Sequence, residues 1–267
     1  MPLTFVTWNI NSVRLRLPMV LDFLKAVKPD VLALQEIKCT NEQFPAKELA
    51  AAGYGHQVVH GQKAYHGVAT ISRLPLLEQT SKVLGGIDHA RHVAAKVDYG
   101  RGQLTLHNFY IPAGGDIPDP EANAKFRHKL DYLTELKDWF DGAEFENGQL
   151  IAGDFNIAPH ESDVWSHKQL LKVVSHTPVE TEALDELLGR RPWIDLVRKH
   201  IPYDEKAYSW WSYRSPDWNA ADKGRRLDHV WATGDVAVHS NGAEILRDWR
   251  GYGDKPSDHA PVVVRLD

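Results

Sequence analysis

The sequence predicts one domain of mixed α+β type that spans residues 1–267. Strand and helix patterns are mixed throughout the chain, and hairpin strands are more prominent than alternating βαβ units. The chain has no internal repeat, low-complexity tract or linker-like composition, so one domain is favoured over two, although 267 residues allow either. Hydrophobic residues at 43% and charged residues at 25% are typical of a soluble globular protein.

Segments rich in β-branched and aromatic residues predict the strands. They cover residues 3–10, 30–36, 67–73, 92–99, 103–112 and 149–155, followed by RLDHVWAT and PVVVRLD near the end of the sequence. The segments 92–99 and 103–112 predict a hairpin that turns through Gly100-Arg101-Gly102. Helical spacing predicts helices over 20–28 and 123–140, and residues 160–190 are polar and helix-prone.

Composition and charge exclude several classes of protein. Lys and Arg number 31 against 36 Asp and Glu, a net charge of −5, so any contact with nucleic acid must depend on local positive charge or on metal ions.

Cys39 is the single cysteine, which excludes an intrachain disulfide and favours a cytoplasmic location. Asn9 and Asn11 interrupt the first segment before any long apolar run, which predicts neither a secretory signal nor a transit peptide. No run approaches the roughly 18 apolar residues of a membrane span, so no membrane partner is expected.

Polar side chains close several of the predicted strands. In GDFNIAP (153–159), Asp154 and Asn156 are two residues apart and therefore project to the same side of an extended strand. A lone Asp or Asn after a strand is usually a turn cap. Six such endings along the chain instead predict one shared polar site at one end of a sheet. The endings are WNIN, QEIK, HNFYIP, GDFNIAP, RLDHV and SDHAPV.

The residue types in these endings favour metal-assisted hydrolysis of a phosphate ester. Four carboxylates in one pocket would repel one another unless a cation lay among them. They are Glu36, Asp154, Asp228 and Asp258. Oxygen ligands without a cysteine cluster favour Mg²⁺, with Mn²⁺ as a substitute. The histidines show no HExxH spacing typical of zinc, and no GxSxG turn is present for acyl transfer.

Seven motifs in one order resemble the exonuclease III family of abasic-site DNA endonucleases, within the endonuclease/exonuclease/phosphatase superfamily. They are WNIN, LQEIKC, YIP, GDFNIAP, SWWSYRS, RLDHV and SDHAPV, and they extend over nearly the whole chain. The resemblance implies a four-layer α/β sandwich, two packed and mainly antiparallel β-sheets flanked by helices. It also implies a Mg²⁺-dependent enzyme that cuts DNA 5′ to abasic sites. The family usually adds 3′-phosphatase, 3′-phosphodiesterase and 3′→5′ exonuclease activity.

The resemblance implies a role for each residue of the catalytic centre. Glu36 resembles the principal metal ligand, with Asn9 and Asp258 completing the surroundings of the metal. Asp154 resembles the residue that activates the attacking water, and Asn156 its orienting partner. Tyr110 resembles the family tyrosine near the scissile phosphate. His259 resembles the histidine that contacts the phosphate, and Asp228 resembles the carboxylate that orients that histidine.

The resemblance also implies DNA-binding residues of two kinds. One set contacts the DNA backbone, and the other lines a pocket for the flipped-out sugar that is too tight for a base. The backbone set is Asn11, Arg14 and Arg91, and the pocket set is Trp210, Arg225 and Leu227. Some relatives have an aromatic residue where this chain has Arg225. The expected partner is double-stranded DNA with abasic sites or blocked 3′ ends, bound by a monomer.

Two departures and two alternatives stay open at this point. Relatives often follow YIP with Asn or Gln, but this chain has Ala113, which removes one phosphate contact. Residues 160–181 could contact DNA, but a solvated helix and loop is the favoured interpretation. A superfamily phosphatase acting on inositol phosphates, lipid headgroups or nucleotides is the first alternative. A non-catalytic binding module is the second, and it is disfavoured because no carboxylate or histidine of the set is missing.

Overall fold

The computed structural model describes residues 2–142, 145 and 147–267. The strands are β1 (Leu3–Asn9), β2 (Val31–Gln35), β3 (His56–His60), β4 (Val68–Ser72), β5 (Leu77–Thr80), β6 (His92–Asp98), β7 (Gln103–Tyr110), β8 (Gln149–Asp154), β9 (Ile194–Asp195), β10 (Trp210–Trp211), β11 (Gly224–Arg225), β12 (Asp228–Ala232), β13 (Ser240–Ile245) and β14 (Val262–Leu266). The helices are α1 (Leu17–Val27), α2 (Ala46–Ala51), α3 (Ala124–Phe140), α4 (His167–Leu170), α5 (Pro178–Arg190), α6 (Leu196–His200), α7 (Trp218–Ala221) and α8 (Gly234–Ala237).

Two six-stranded sheets form the centre of the molecule. Their strand orders are β13-β14-β1-β2-β4-β3 and β5-β6-β7-β8-β12-β9. In each sheet one pair is parallel, β1 with β2 and β7 with β8, and the remaining pairs are antiparallel. The predicted pair of mainly antiparallel sheets is therefore confirmed.

Alternation along the strands divides the apolar side chains between two faces. In β1, Leu3 and Phe5 face the core between the sheets, whereas Val6 and Trp8 face outward and pack against α1. The outer face of the other sheet packs through Phe109 and its neighbours against α3 and α5. The result is the helix–sheet–sheet–helix layering that the motifs predicted.

The predicted strands and long helices all form, with small shifts of their ends. The hairpin of β6 and β7 forms and turns through residues 100–102 as predicted. Helix α3 begins one residue late because Asn123 caps it by accepting the backbone N–H of Lys125. Helix α1 begins three residues early, since Pro18 is tolerated in a first turn. Short edge strands such as β5, whose residues are all exposed, lack the apolar pattern that predicts a strand. Within the described residues, no helix is long and apolar enough to cross a membrane.

The two parallel pairs bring four strand ends to the same edge of the sandwich. Strands β1 and β2 end there at Asn9 and Gln35, and strands β7 and β8 end there at Tyr110 and Asp154. The antiparallel neighbours β12 and β14 begin at that edge. This edge therefore collects the polar strand endings.

A buried ion network fixes the chain just before β12. The Asp163 carboxylate accepts two hydrogen bonds from the Arg226 guanidinium, at 2.8 and 2.9 Å, and also pairs with Arg198. A second carboxylate, Asp195, accepts from Arg226 at 2.7 Å. All four side chains are almost completely buried. Because Arg226 is two residues from Asp228, this network holds one strand end of the polar edge in place.

We expect Asp163→Asn to lower the free energy of unfolding by about 3–5 kcal/mol, since two buried guanidinium groups would lose their shared counter-charge. Burial would raise the pKa of Asp163, but Arg226 and Arg198 hold it well below its ordinary value. The stabilisation is thus present above the unfolded-state pKa of about 4 and is lost as the pH falls below it.

Urea unfolding at pH 7 and at pH 2.5 measures both effects, because the loss proceeds as the pH falls from about 4 toward the lowered pKa of the folded state. The exposed Glu121→Gln is the control, and its midpoint should match the wild type. A midpoint for Asp163→Asn equal to that of the control would contradict the structural role of the network.

Candidate active site

Asp154 lies at the centre of the polar edge. Strand register places it beside Tyr110 of β7 on one side and beside Asp228 of β12 on the other. The carboxylate is 1% exposed. Burial raises the pKa of Asp154 to about 7; the charge of His259 and a hydrogen bond from Asn9 oppose the rise, and the charge of Asp228 adds to it.

The turn after β8 points two polar side chains at the same place. Asn156 has a left-handed backbone (φ 55°), donates its backbone N–H to Asp154 Oδ1 at 2.9 Å, and directs its amide Nδ2 to Oδ2 at 3.2 Å. Gly153 has a φ of 141°, and a Cβ there would lie 1.9 Å from the carbonyl oxygen of Phe109. Only glycine allows β8 to approach β7 this closely at the base of the turn.

Asn9 connects the two sheets at this edge. Its Nδ2 donates to Asp154 Oδ2 at 2.8 Å and to Glu36 Oε1 at 3.0 Å. Its Oδ1 accepts the backbone N–H of Asn11 at 3.0 Å. The amide NH₂ of Asn9 thus orients both carboxylates, and its Oδ1 fixes the backbone just after β1. Its role as a metal ligand stays a prediction.

A chain of polar contacts joins Glu36 to Asp258. Lys38 Nζ lies 2.8 Å from Glu36 Oε2 and 2.5 Å from Asn11 Oδ1, and Asn11 Nδ2 donates to Asp258 Oδ1 at 3.0 Å. Burial would raise the pKa of Glu36, but Lys38 and the amide of Asn9 hold it below its ordinary value. Asp258 likewise has a lowered pKa despite its burial, because of the charge of His259 and hydrogen bonds from Asn11 and Trp210. Both carboxylates are therefore ionised at neutral pH.

His259 lies between two carboxylates. Its Nδ1 is 2.8 Å from Asp228 Oδ2, and its Nε2 is 3.7 Å from Asp154 Oδ2. Burial would lower the pKa of His259, but the charges of Asp228 and Asp154 raise it to about 10. The imidazole is therefore positively charged at neutral pH, and its Nε2–H points toward the centre of the site.

Tyr110 and Arg91 form one side of the site. Burial, followed by the charges of Glu36 and Asp154, raises the pKa of Tyr110 well above its ordinary value, so the phenol is neutral and can only donate or accept hydrogen bonds. The Arg91 guanidinium lies 4.8 Å from the Tyr110 ring centroid and donates to the Tyr110 carbonyl oxygen at 3.1 Å. Arg91 thus holds the tyrosine in place from behind.

The oxygen-rich centre fits a divalent metal ion. Asp228 Oδ1 is buried and has no hydrogen-bond partner among residues 2–142, 145 and 147–267. The Lys38 ammonium already lies between Glu36 Oε2 and Asn11 Oδ1, two oxygen atoms of this centre. Asp154, Asp228 and His259 have carboxylate and imidazole atoms within 4.8 Å of one another, but the protonated imidazole has no lone pair for a metal. Carboxylate and amide oxygens are the ligands of hard divalent cations.

The three predicted pocket residues lie together beside Asp258. Trp210 donates its Nε1–H to Asp258 Oδ2 at 2.9 Å, and the Arg225 guanidinium lies 5.2 Å from the Trp210 ring centroid. Arg225 is fixed by Ser175 Oγ at 2.7 Å and by the Val174 carbonyl oxygen at 3.0 Å. Leu227 is buried in a small apolar cluster against which Trp210 packs. Arg14 is exposed on the turn after Asn11.

Several polar residues of the strand endings lie outside the site. Gln35 and Asn108 hydrogen bond to each other at 2.7 Å between the two sheets, and His229 lies against the Ile157 carbonyl oxygen at 2.8 Å. His107 lies 3.1 Å from His92 in a buried pair. For these four residues the shared-site interpretation was wrong. Gln35 and Asn108 point into the space between the sheets, where they bond to each other. Alternation turns His107 and His229 to the opposite, helix-covered face, beside Phe109 and Trp231. In the segment 160–181, the buried His176 is likewise structural and bonds to the Ala158 carbonyl oxygen at 2.6 Å.

Three residues of the site had no assigned role from sequence. Lys38 follows Glu36 by two positions, a same-face spacing that could have revealed it. Buried Lys129 donates to the Asn156 carbonyl oxygen at 2.9 Å and pairs with Glu180, so it supports the turn after β8. Ser209 Oγ accepts the backbone N–H groups of Leu227 and Asp228. No local signal in the sequence indicates the last two contacts.

Comparison with known proteins finds relatives over nearly the whole chain. The model of the endonuclease/exonuclease/phosphatase family matches residues 6–259. Exodeoxyribonuclease III of Haemophilus influenzae is 31% identical over 267 residues, which cover 97% of each chain. An AP endonuclease from Archaeoglobus fulgidus superposes with a TM-score of 0.90 and 31% identity over 99% of each chain. The 3′ phosphatase NExo from Neisseria, solved with a product DNA hairpin, superposes with a TM-score of 0.89 and 30% identity over 99% of each chain.

The family match covers most of the chain, and the matched span contains the motifs from WNIN to the histidine of SDHAPV. The fold agrees with that of the structural relatives over nearly its full length. The chain belongs to the endonuclease/exonuclease/phosphatase family.

Proposed function

We propose that this protein is a Mg²⁺-dependent DNA repair phosphodiesterase that hydrolyses the backbone 5′ to abasic sites and also trims blocked 3′ ends. The observation that carries the proposal is the position of Asp154 Oδ2, which accepts hydrogen bonds from two amides and lies 3.7 Å from a charged imidazole. The relatives support the class of substrate, since they are named as an AP endonuclease, an exodeoxyribonuclease and a 3′ phosphatase bound to DNA.

Asp154 acts as the general base. A pKa near 7 leaves the carboxylate basic enough to take a proton from water while still largely ionised at slightly alkaline pH. Asn9 and Asn156 each donate to its Oδ2 and so fix the direction from which the water is deprotonated. The water oxygen bonds to phosphorus and its proton passes to Asp154. The bond from phosphorus to the 3′ oxygen of the preceding nucleotide breaks, and that oxygen leaves as a 3′ hydroxyl after taking a proton from solvent.

His259 and Tyr110 stabilise the negative charge that grows on the phosphoryl oxygens. The imidazolium offers Nε2–H, while Asp228 holds Nδ1 and keeps the ring charged. The neutral phenol of Tyr110, at the end of β7, offers an O–H donor. Both donors are fixed by the sheets before substrate binds, so little reorganisation is needed during the reaction.

Glu36 and Asp258 are the residues we assign to the metal, with Asn9 beside them. Both carboxylates have lowered pKa values and are ionised at neutral pH. When bound, Mg²⁺ would polarise a phosphoryl oxygen and offset the charge of the clustered carboxylates, and Mn²⁺ could replace it. The Lys38 ammonium would then leave Glu36 and bind a phosphate oxygen of the DNA.

We further propose that the DNA lies across the polar edge, with Asn11, Arg14 and Arg91 on its phosphates. Trp210, Arg225 and Leu227 would receive the flipped-out sugar, as their proximity to Asp258 supports. The chain would act as one domain, since both halves of the sequence contribute to the core between the sheets. The monomeric state stays a prediction. The cytoplasmic location expected from Cys39 stays a prediction.

The deciding experiment uses a labelled duplex with one tetrahydrofuran abasic analogue, incubated with Mg²⁺ or with EDTA. A single cut 5′ to the analogue, absent with EDTA, is expected. Laddering from the 3′ end would measure the accompanying exonuclease activity. No cut at any metal concentration, with hydrolysis of inositol phosphates or nucleotides instead, would assign the protein to the phosphatases of the superfamily.

Asp154→Asn should reduce turnover by about 10²–10⁴-fold, because an amide keeps the shape of the carboxylate but cannot take a proton. DNA binding, measured by fluorescence anisotropy, should change little. Asp138→Asn, an exposed carboxylate near the end of α3, is the control and should leave turnover unchanged. Cutting by Asp154→Asn at near the wild-type rate would show that another group activates the water.

Glu36→Gln should raise the Mg²⁺ concentration needed for half-maximal activity by about tenfold or more, because the neutral amide is a weaker ligand than the carboxylate. The measurement is a Mg²⁺ titration of the incision rate. Glu182→Gln, exposed on α5, is the control. An unchanged Mg²⁺ dependence in Glu36→Gln would remove Glu36 from the metal ligands.

A further inference from the structure

A cavity of about 420 Å³ lies beside Tyr110. Its walls come from the end of β7, the loop 112–115, the loop that precedes β6 and the first turns of α3. Tyr110 and Arg91 belong both to this cavity and to the wall of the catalytic site. A strand of substrate DNA at the polar edge would therefore pass the mouth of the cavity.

The charge of the cavity favours an anion. Arg91 and Lys125 line it, and no aspartate or glutamate is among the described residues that do so. Arg91 is anchored by the Tyr110 carbonyl oxygen at 3.1 Å and by His66 Nδ1 at 3.2 Å, whereas Lys125 is exposed at the mouth. A fixed guanidinium and an exposed ammonium in one cavity form a suitable site for a phosphate group.

The remaining walls are rings and apolar side chains. The rings of His66 and His89 lie 4.9 Å apart, and that of His128 lies 5.4 Å from His89. Burial and the charge of Arg91 lower the pKa of all three, so these rings are uncharged at neutral pH. Ile87 is half exposed at the mouth. Neutral rings and an aliphatic side chain provide a surface on which a nucleobase can stack.

Polar atoms inside this wall have no partner of their own. Arg91 Nε, His89 Nδ1 and His128 Nε2 are shielded from solvent and have no hydrogen-bond partner within the part of the chain that the structure describes. Solvent cannot reach these atoms, so they belong to the packing behind the cavity wall. Ala113 lines the cavity with a short side chain.

We propose that this cavity is an accessory subsite for one unpaired nucleotide of the substrate strand, next to the scissile phosphate. Its phosphate would lie against Arg91 and Lys125, and its base against the histidine rings and Ile87. The volume exceeds what a phosphate group alone requires. The assignment rests on the proposed nuclease function for the identity of the strand, and it extends that function to DNA with a displaced base beside the cut.

Binding to the cavity can be measured without catalysis. In EDTA, ring signals of the histidines in ¹H–¹³C NMR spectra report the titration of deoxyadenosine 5′-monophosphate, deoxyadenosine or inorganic phosphate, with His89→Gln used to assign the cavity signals. We expect the nucleotide to shift the signals of His66, His89 and His128 at a lower concentration than either fragment does. Equal shifts with phosphate alone would reduce the cavity to an anion site, and unchanged cavity signals would exclude the subsite.

Two variants then test the subsite on DNA. Lys125→Ala removes the exposed ammonium group, and Ile87→Trp fills the mouth of the cavity. Each should raise the Kd for a duplex with one unpaired nucleotide beside the abasic analogue by about threefold to tenfold, and should change the Kd for a fully paired duplex less. Lys25→Ala on α1 and Ile117→Trp, both at exposed positions outside the cavity, are the matched controls.

Moving the unpaired nucleotide from the 5′ to the 3′ side of the cut identifies the side that the subsite serves. Incision at the abasic analogue without any effect of the two variants would overturn the subsite and leave the proposed function intact. Nucleotide binding at the histidines without incision would keep the subsite and overturn the nuclease proposal. Unfolding midpoints of the two variants, compared with the wild type, separate lost binding from lost folding.

Discussion

The burial of Asp154 among other carboxylates is the constraint on which the rest of the site depends. An isolated buried carboxylate takes up a proton, and a second one nearby increases that tendency. Here two amides donate to Asp154, His259 carries a positive charge beside it, and Lys38 compensates Glu36. The balance leaves Asp154 with a raised pKa and Glu36 with a lowered one. One carboxylate is thereby suited to take a proton and the other to hold a cation.

That balance requires groups from both sheets to meet within hydrogen-bonding distance. In each sheet, one parallel pair at the centre brings two strand ends to one edge. Asn9 then bonds across the gap between the sheets to Asp154. Strained backbone supports the arrangement, since Asn11, Glu36 and Asn156 all have left-handed φ angles between 47° and 55°. Such strain is tolerated where the surrounding hydrogen bonds fix the conformation.

Local pattern was sufficient for the long elements and for the residues of the motifs. Strands such as β1 and β7 have apolar residues in a pattern that predicts a strand. Pro18 in the first turn of α1 and the Asn123 cap of α3 mark where these helices begin. Edge strands such as β5 could not be predicted, because pairing with β6 and not burial keeps them extended. The same limit applies to Gln35 and Asn108, whose polarity suggested a site but whose side chains bond to each other inside the protein.

The sequence by itself determined the chemistry available: carboxylates, amides and a histidine at strand ends, in an order that identifies the family. It also determined roughly where the long strands stop, because polar residues and prolines act on the local backbone. Only the tertiary structure decided which polar residues share the site, which of them are protonated, and that Lys129, Ser209 and the Asp163 network support the site. The physical reason is that pKa values and hydrogen bonds depend on distances between residues far apart in the chain, and the pairing and packing of the sheets and helices set those distances.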